Sequence, residues 1–120
     1  MKVTRKPENG KLFIDYEVSG NKITFGDDEL TVNCAKKERD YLVIIDIIKD
    51  KFRGLILDIN SQDNESYIAQ IVIPARTYTE SFVPNPDYDP SDPESQETIY
   101  TKTANAFDID NVELILYEEV

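Results

Sequence analysis

The chain has 120 residues, 40% of them hydrophobic, and a formal net charge of −11. That length sets a single domain as the expectation, the composition excludes wholesale disorder, and no apolar run approaches the roughly 18 residues of a membrane span. The charge is uneven: residues 1–60 carry 11 Lys/Arg and 11 Asp/Glu, residues 61–120 carry 2 and 13, so the whole excess falls in the second half.

In chain order, KLFIDYEV puts Leu12, Ile14, Tyr16 and Val18 on one face and Asp15 and Glu17 on the other, the period-two pattern of a half-buried strand. Gly20-Asn21 follows as a tight hairpin turn, because glycine takes positive φ freely. ITF and LTVNC continue, with Ile23, Phe25, Leu30, Val32 and Cys34 inward, so residues 11–34 read as three short antiparallel strands. AKKERD has helix-forming residues but only enough for a turn near residues 35–40. YLVIIDII is apolar on both faces, as in a strand buried on both sides or one whose outer face meets another subunit. LILDI returns, a polar loop spans 60–66, and YIAQIVI is a strand ended by Pro74, which has no N–H for a ladder. ARTYTESF alternates and reads as a continuation of that strand past a bend.

PNPDYDPSDPES, residues 84–95, holds four prolines and four acids. Proline at this density forbids a central strand and disfavours a helix, and little apolar surface offsets the ordering entropy. Residues 83–96 therefore read as an extended, mobile, Pro/Asp-rich surface loop. TIYTKT and VELILYEEV close the chain, with Val112, Leu114 and Leu116 on one face of the latter. The expectation is one all-β domain over residues 1–120, an antiparallel β-sandwich or barrel of about eight short strands with little helix and no internal repeat. Its core is expected to include Ile14, Tyr16, Ile23, Phe25, Val32, Val43, Ile45, Leu57, Ile68, Leu114 and Leu116.

Much chemistry is missing from the composition. With no histidine the commonest general base and zinc ligand are gone, and one cysteine builds neither a thiolate zinc site nor an internal disulfide. The glycines, Gly10, Gly20, Gly26 and Gly54, assemble no phosphate-binding loop. Asp58–Glu65 and Asp87–Glu94 are rich in oxygen ligands, but both fail the glycine and glutamate positions of a calcium loop. No enzyme activity, catalytic residue, metal or cofactor is expected. MKVTRKPENG lacks the apolar stretch of a signal peptide.

What remains points to binding. A nucleic-acid binder needs cations to displace phosphate counterions, so direct nucleic-acid contact is not expected, and neither is a membrane. The acidity serves solubility or attraction to a basic partner. Candidate partner-binding residues are Asp87, Tyr88, Asp89, Asp92 and Glu94 in the acidic loop. Arg76, which has no other cation between Arg53 and Lys102, and Tyr78 join them. Tyr41, Tyr67, Tyr78 and Tyr100 are expected on sheet surfaces. The partner is another protein or a second copy of the chain.

Three stretches, SGNKITFGDDELTVN with KERDY, YIAQIVIPARTY, and AFDIDNVELILYEEV, resemble small uncharacterised proteins of bacteriophages and prophages of Gram-positive bacteria. The resemblance covers most of the chain, with a variable part at residues 79–105. It departs at Tyr117, where the group's pattern has tryptophan, so no role for that ring carries over. It implies a phage context, in the host cytoplasm or the virion, and supplies no catalytic residue. The expected function is a structural or accessory component of a phage assembly. The alternative is an acidic inhibitor that occupies the nucleic-acid-binding surface of a host protein.

Overall fold

A computed structural model describes residues 1–50, 52–59 and 67–119. The loop read at 60–66, with most of the Asp58–Glu65 stretch, lies outside them. The protein is mostly β, with ten strands in three open sheets among the described residues. Two compact units emerge: residues 1–75 with 107–120, here called the body, and residues 76–106, here called the ribbon.

In the body, the strands are β1 (Lys2–Lys6), β2 (Tyr16–Ser19), β3 (Lys22–Phe25), β4 (Leu30–Asn33), β5 (Val43–Asp50), β6 (Gly54–Ile59) and β7 (Tyr67–Ile73). The ribbon is β8 (Tyr78–Pro84) with β9 (Thr98–Ala104), and β10 (Glu113–Tyr117) returns to the body. One sheet runs β1-β10-β7-β5-β6 and another β2-β3-β4. The barrel alternative is set aside, since no sheet closes on itself. The pairing is also mixed, because β1 lies parallel to β10 with Lys2 beside Glu113 and Lys6 beside Tyr117. KVTRK has one apolar residue, and its strand character comes from that distant partner.

Local chemistry sets the connections. Ser19 pairs with Lys22 across a two-residue turn in which Gly20 has φ 58°. Asn33 caps a single helical turn, α1 (Cys34–Lys37), its side chain accepting from the Lys36 N–H at 3.3 Å. KLFI, expected as strand, is not: pairing in β2 begins only at Tyr16, and Leu12 is exposed.

The alternation of β5 matches its neighbours residue by residue. Leu114, Ile71 and Ile45 lie side by side across three strands, as do Leu116, Ala69 and Ile47, all of them fully buried. Ile23, Phe25, Val32 and Cys34 from the small sheet and its helical turn belong to the same buried cluster. Of the expected core, Ile14, Tyr16, Leu57 and Ile68 are only half-buried and pack against it.

Candidate interaction surface

The ribbon is a two-stranded antiparallel hairpin. Tyr78 sits opposite Ala104, Glu80 opposite Lys102, Phe82 opposite Tyr100 and Pro84 opposite Thr98. Opposed residues share a face, so one face carries Tyr78, Glu80, Phe82, Tyr100 and Lys102, and the other Thr79, Ser81, Val83, Ile99, Thr101 and Thr103. On the first face the Phe82 and Tyr100 rings meet edge to face at 5.8 Å. The Lys102 ammonium lies 4.5 Å from the centre of the Tyr78 ring. The Tyr100 hydroxyl donates to Glu80, which raises its pKa above the ordinary tyrosine value. On the second face Ser81 and Thr101 exchange a 2.9 Å hydroxyl contact, and Thr79 donates to Asn105 at 2.6 Å.

Little of this surface is covered. Phe82 is 71% exposed and Tyr100 51%, with Val83 and Ile99 exposed as well. ARTYTESF is therefore no extension of β7: β8 pairs with β9 in a sheet of its own.

The acidic segment joins the two strands between Asn85 and Glu97, and it is turned, not extended. Asn85-Pro86, Asp89-Pro90 and Asp92-Pro93 each start a turn by the same device. The Asx side-chain oxygen accepts the N–H two residues on, from Asp87, Ser91 and Glu94, at 2.9 Å in each case. The Asx carbonyl accepts the N–H three residues on, from Tyr88, Asp92 and Ser95. Proline presets φ for the second turn position and Asx mimics a backbone turn. The Asp89 N–H also donates to the Ser95 hydroxyl at 2.8 Å. The Ser91 hydroxyl and N–H together hold the Asp89 carboxyl below the usual carboxylate range.

This places each residue singled out from the sequence. Asp87, Tyr88, Asp89, Asp92 and Glu94 share the turned tip, all exposed. Tyr78 lies on the aromatic face under Lys102, and Arg76 is half-buried where the ribbon begins. Among the described residues no group of three His, Cys, Asp or Glu is placed to hold a metal ion. Phe82 and Glu80 were not singled out, and Tyr100 was expected only on a sheet surface; pairing Phe82 with Tyr100 requires knowing the hairpin register. Of the four tyrosines expected on sheets, Tyr67, Tyr78 and Tyr100 are on strands, whereas Tyr41 is not.

The body holds a second polar feature. Asp46 points to the outer face of β5 between Ile44 and Ile48, yet it is only 2% exposed. Gln70 on β7 donates to it at 2.8 Å and accepts from the Tyr117 hydroxyl at 2.6 Å. Tyr67 meets Tyr117 edge to face at 4.7 Å. Burial, and then the nearby Tyr67, push the Tyr117 pKa up to about 12. This chain of contacts satisfies its members and fixes the register of three strands.

No protein family, no curated protein and no solved structure matches this chain. Geometry and chemistry alone therefore choose between the body and the ribbon as the working surface. The ribbon has the exposed aromatic face and the turned acidic tip.

Proposed function

We propose that the protein is a non-enzymatic, phage-encoded binding protein, a structural or accessory component that joins a larger assembly through its ribbon. The observation that carries this reading is the two-sided exposure of β8 and β9, with Phe82 and Tyr100 paired on one face. An isolated two-stranded hairpin is marginal in water, and contiguous exposed apolar surface marks interaction sites. A few residues, enriched in tryptophan, tyrosine and arginine, carry most of the energy at protein interfaces. The body acts as a rigid carrier. We take it to be a sandwich of its two sheets, because both contribute to one buried cluster.

The turned tip supports a second reading. Asp87, Asp89, Asp92, Glu94 and Glu97 follow one another with no cation between Arg76 and Lys102, and the turns hold their backbone in place. Such a tip suits a basic groove and keeps the nucleic-acid mimic in play. Salt separates the two readings. A photo-crosslinking phenylalanine analogue at position 82 captures a protein partner, further copies of the chain included, even when irradiated in about 1 M salt, where the screening length is about 3 Å. Capture of a DNA-binding protein that is abolished when moderate salt is present during irradiation favours the mimic. Capture of nothing, or co-purification of the same partner with a chain whose residues 77–105 are replaced by a short Gly-Ser link, overturns the ribbon as the binding element.

A further inference from the structure

We propose that the partner of the ribbon is the free edge of β1 in a second copy of the chain, so that copies join head to tail. This rests on the ribbon being the binding element and names its occupant. β1 ends the five-stranded sheet, and among the described residues nothing is paired on its outer side. In the parallel ladder the Lys2 N–H donates to Val112 and the Lys6 carbonyl accepts from Glu118. Alternate residues of a strand turn their backbone groups to opposite sides, so Val3 and Arg5 present theirs to the open edge. A groove of about 400 Å³ runs along it, lined by Lys2, Val3, Thr4, Arg5 and Glu8. Lys2 pairs with Glu113 at 3.7 Å, whereas Arg5 and Lys6 have no ion-pair partner among the described residues.

β8 offers the complement. The Asn105 N–H donates to Thr77 and the Asn85 N–H to Glu97. By the antiparallel alternation, Thr79, Ser81 and Val83 bond to β9. Tyr78, Glu80 and Phe82 therefore point their backbone groups outward. Proline bounds both edges, Pro7 after β1 and Pro84 at the end of β8, so each offers a short run. Antiparallel pairing of the two edges sets Arg5 opposite Glu80 and Val3 opposite Phe82, with Thr4 opposite Ser81 between them. β9 is the poorer candidate because its outward set includes Lys102.

Charge selects this pairing over the alternatives. Two β1 edges brought together crowd Lys2, Arg5 and Lys6 of each copy, and two β8 edges set Glu80 against Glu80; like charges directly opposed are unfavourable. Each edge thus rejects its own kind and accepts the other. The resulting contact uses different surfaces on the two copies, which generates a ring or a filament.

Two experiments test this. Thr4→Cys and Ser81→Cys are made as separate proteins in a Cys34→Ser background and mixed under mild oxidation. The mixture forms a disulfide-linked pair, and neither protein alone does. In light scattering, Glu80→Lys and Arg5→Glu each weaken self-association at least tenfold, and the two changes combined in one chain restore it. No cross-link in the mixture, a link that forms only inside a chain carrying both cysteines, or no rescue by the charge swap overturns the β1 edge as the occupant. Continued capture of a different partner at position 82 would leave the broader binding reading standing, so the two failures are distinguishable.

Discussion

β5 and β8 are neighbours in character but not in circumstance. In β5, Val43, Ile45 and Ile47 lie in a dry core, and even the outward Asp46 is covered. In β8, every residue after Tyr78 is exposed. Among the described residues β5 has a paired strand on each side, whereas β8 has one. Burial holds the body, and local hydrogen bonds and turns hold the ribbon. Stability thereby rests with the body, and the recognition we propose would fall to a different stretch of the chain.

The sharpest way to break that comparison is to truncate an apolar side chain in each. Ile45→Ala or Ile71→Ala should cost about 2–5 kcal/mol in urea unfolding, through lost transfer energy and a cavity. Phe82→Ala in the dissociated protein should stay within about 0.5 kcal/mol, as surface changes do. A Phe82→Ala loss as large as that of Ile45→Ala would show that the ribbon is part of the folding core. Next in size is Asp46→Ala, which leaves the Gln70 amide without its acceptor and should cost about 1–3 kcal/mol, while Tyr117→Phe, losing one neutral hydrogen bond, should cost about 1 kcal/mol.

Alkali distinguishes the two regions in another way. Burial raises the Cys34 thiol from 9.0 to about 11, and Tyr117 rises from 10.0 to about 12. Both groups hold their protons more tightly folded than unfolded. Their contribution is complete below about pH 9 and is lost as the pH climbs through 9 to 12. Urea midpoints measured across that window should fall, and a Cys34→Ala, Tyr117→Phe variant should fall less. The smallest effect belongs to the tip. Asp89→Ala removes the acceptor for the Ser91 N–H and hydroxyl. It should speed hydrogen exchange at Ser91 and leave the unfolding midpoint where it was. Replacing residues 86–96 by a two-residue turn should likewise spare the body's melting temperature; a large drop would tie the tip to the core.

Period two made most of the body legible from sequence. VELILY reveals its inward set by alternation alone, whereas YIAQIVI is apolar in both alternate sets, and Ile68, expected in the core, is only half-buried while Ala69, Ile71 and Ile73 are buried. Asp46 is partly legible too: the apolar run YIAQIVI has one polar residue, Gln70, and the two pair. β1 was hidden because KVTRK carries a single apolar residue, and an edge strand owes its structure to pairing, which no local pattern records. The ribbon was hidden for a related reason. ARTYTESF alternates correctly, but alternation does not say which strand it will pair with. The tip was misjudged as extended because proline was counted as a breaker. Asx before proline is a turn former with a mechanism, and that pattern occurs three times between Asn85 and Pro93.

The place of β10 constrains how the molecule is made. It lies between β1 and β7, so β1 has no mate in that sheet until β10, more than a hundred residues later, has been made. Until then β7 keeps a bare hydrogen-bonding edge beside Ala69 and Ile71, and Val112, Leu114 and Leu116 are missing from the core they will fill. A growing chain in that state exposes the surfaces that promote misassembly. The five-stranded sheet is therefore complete only once β10 has emerged, and a ribosome stalled before Val112 would carry a sheet that cannot close around its own hydrophobic layer.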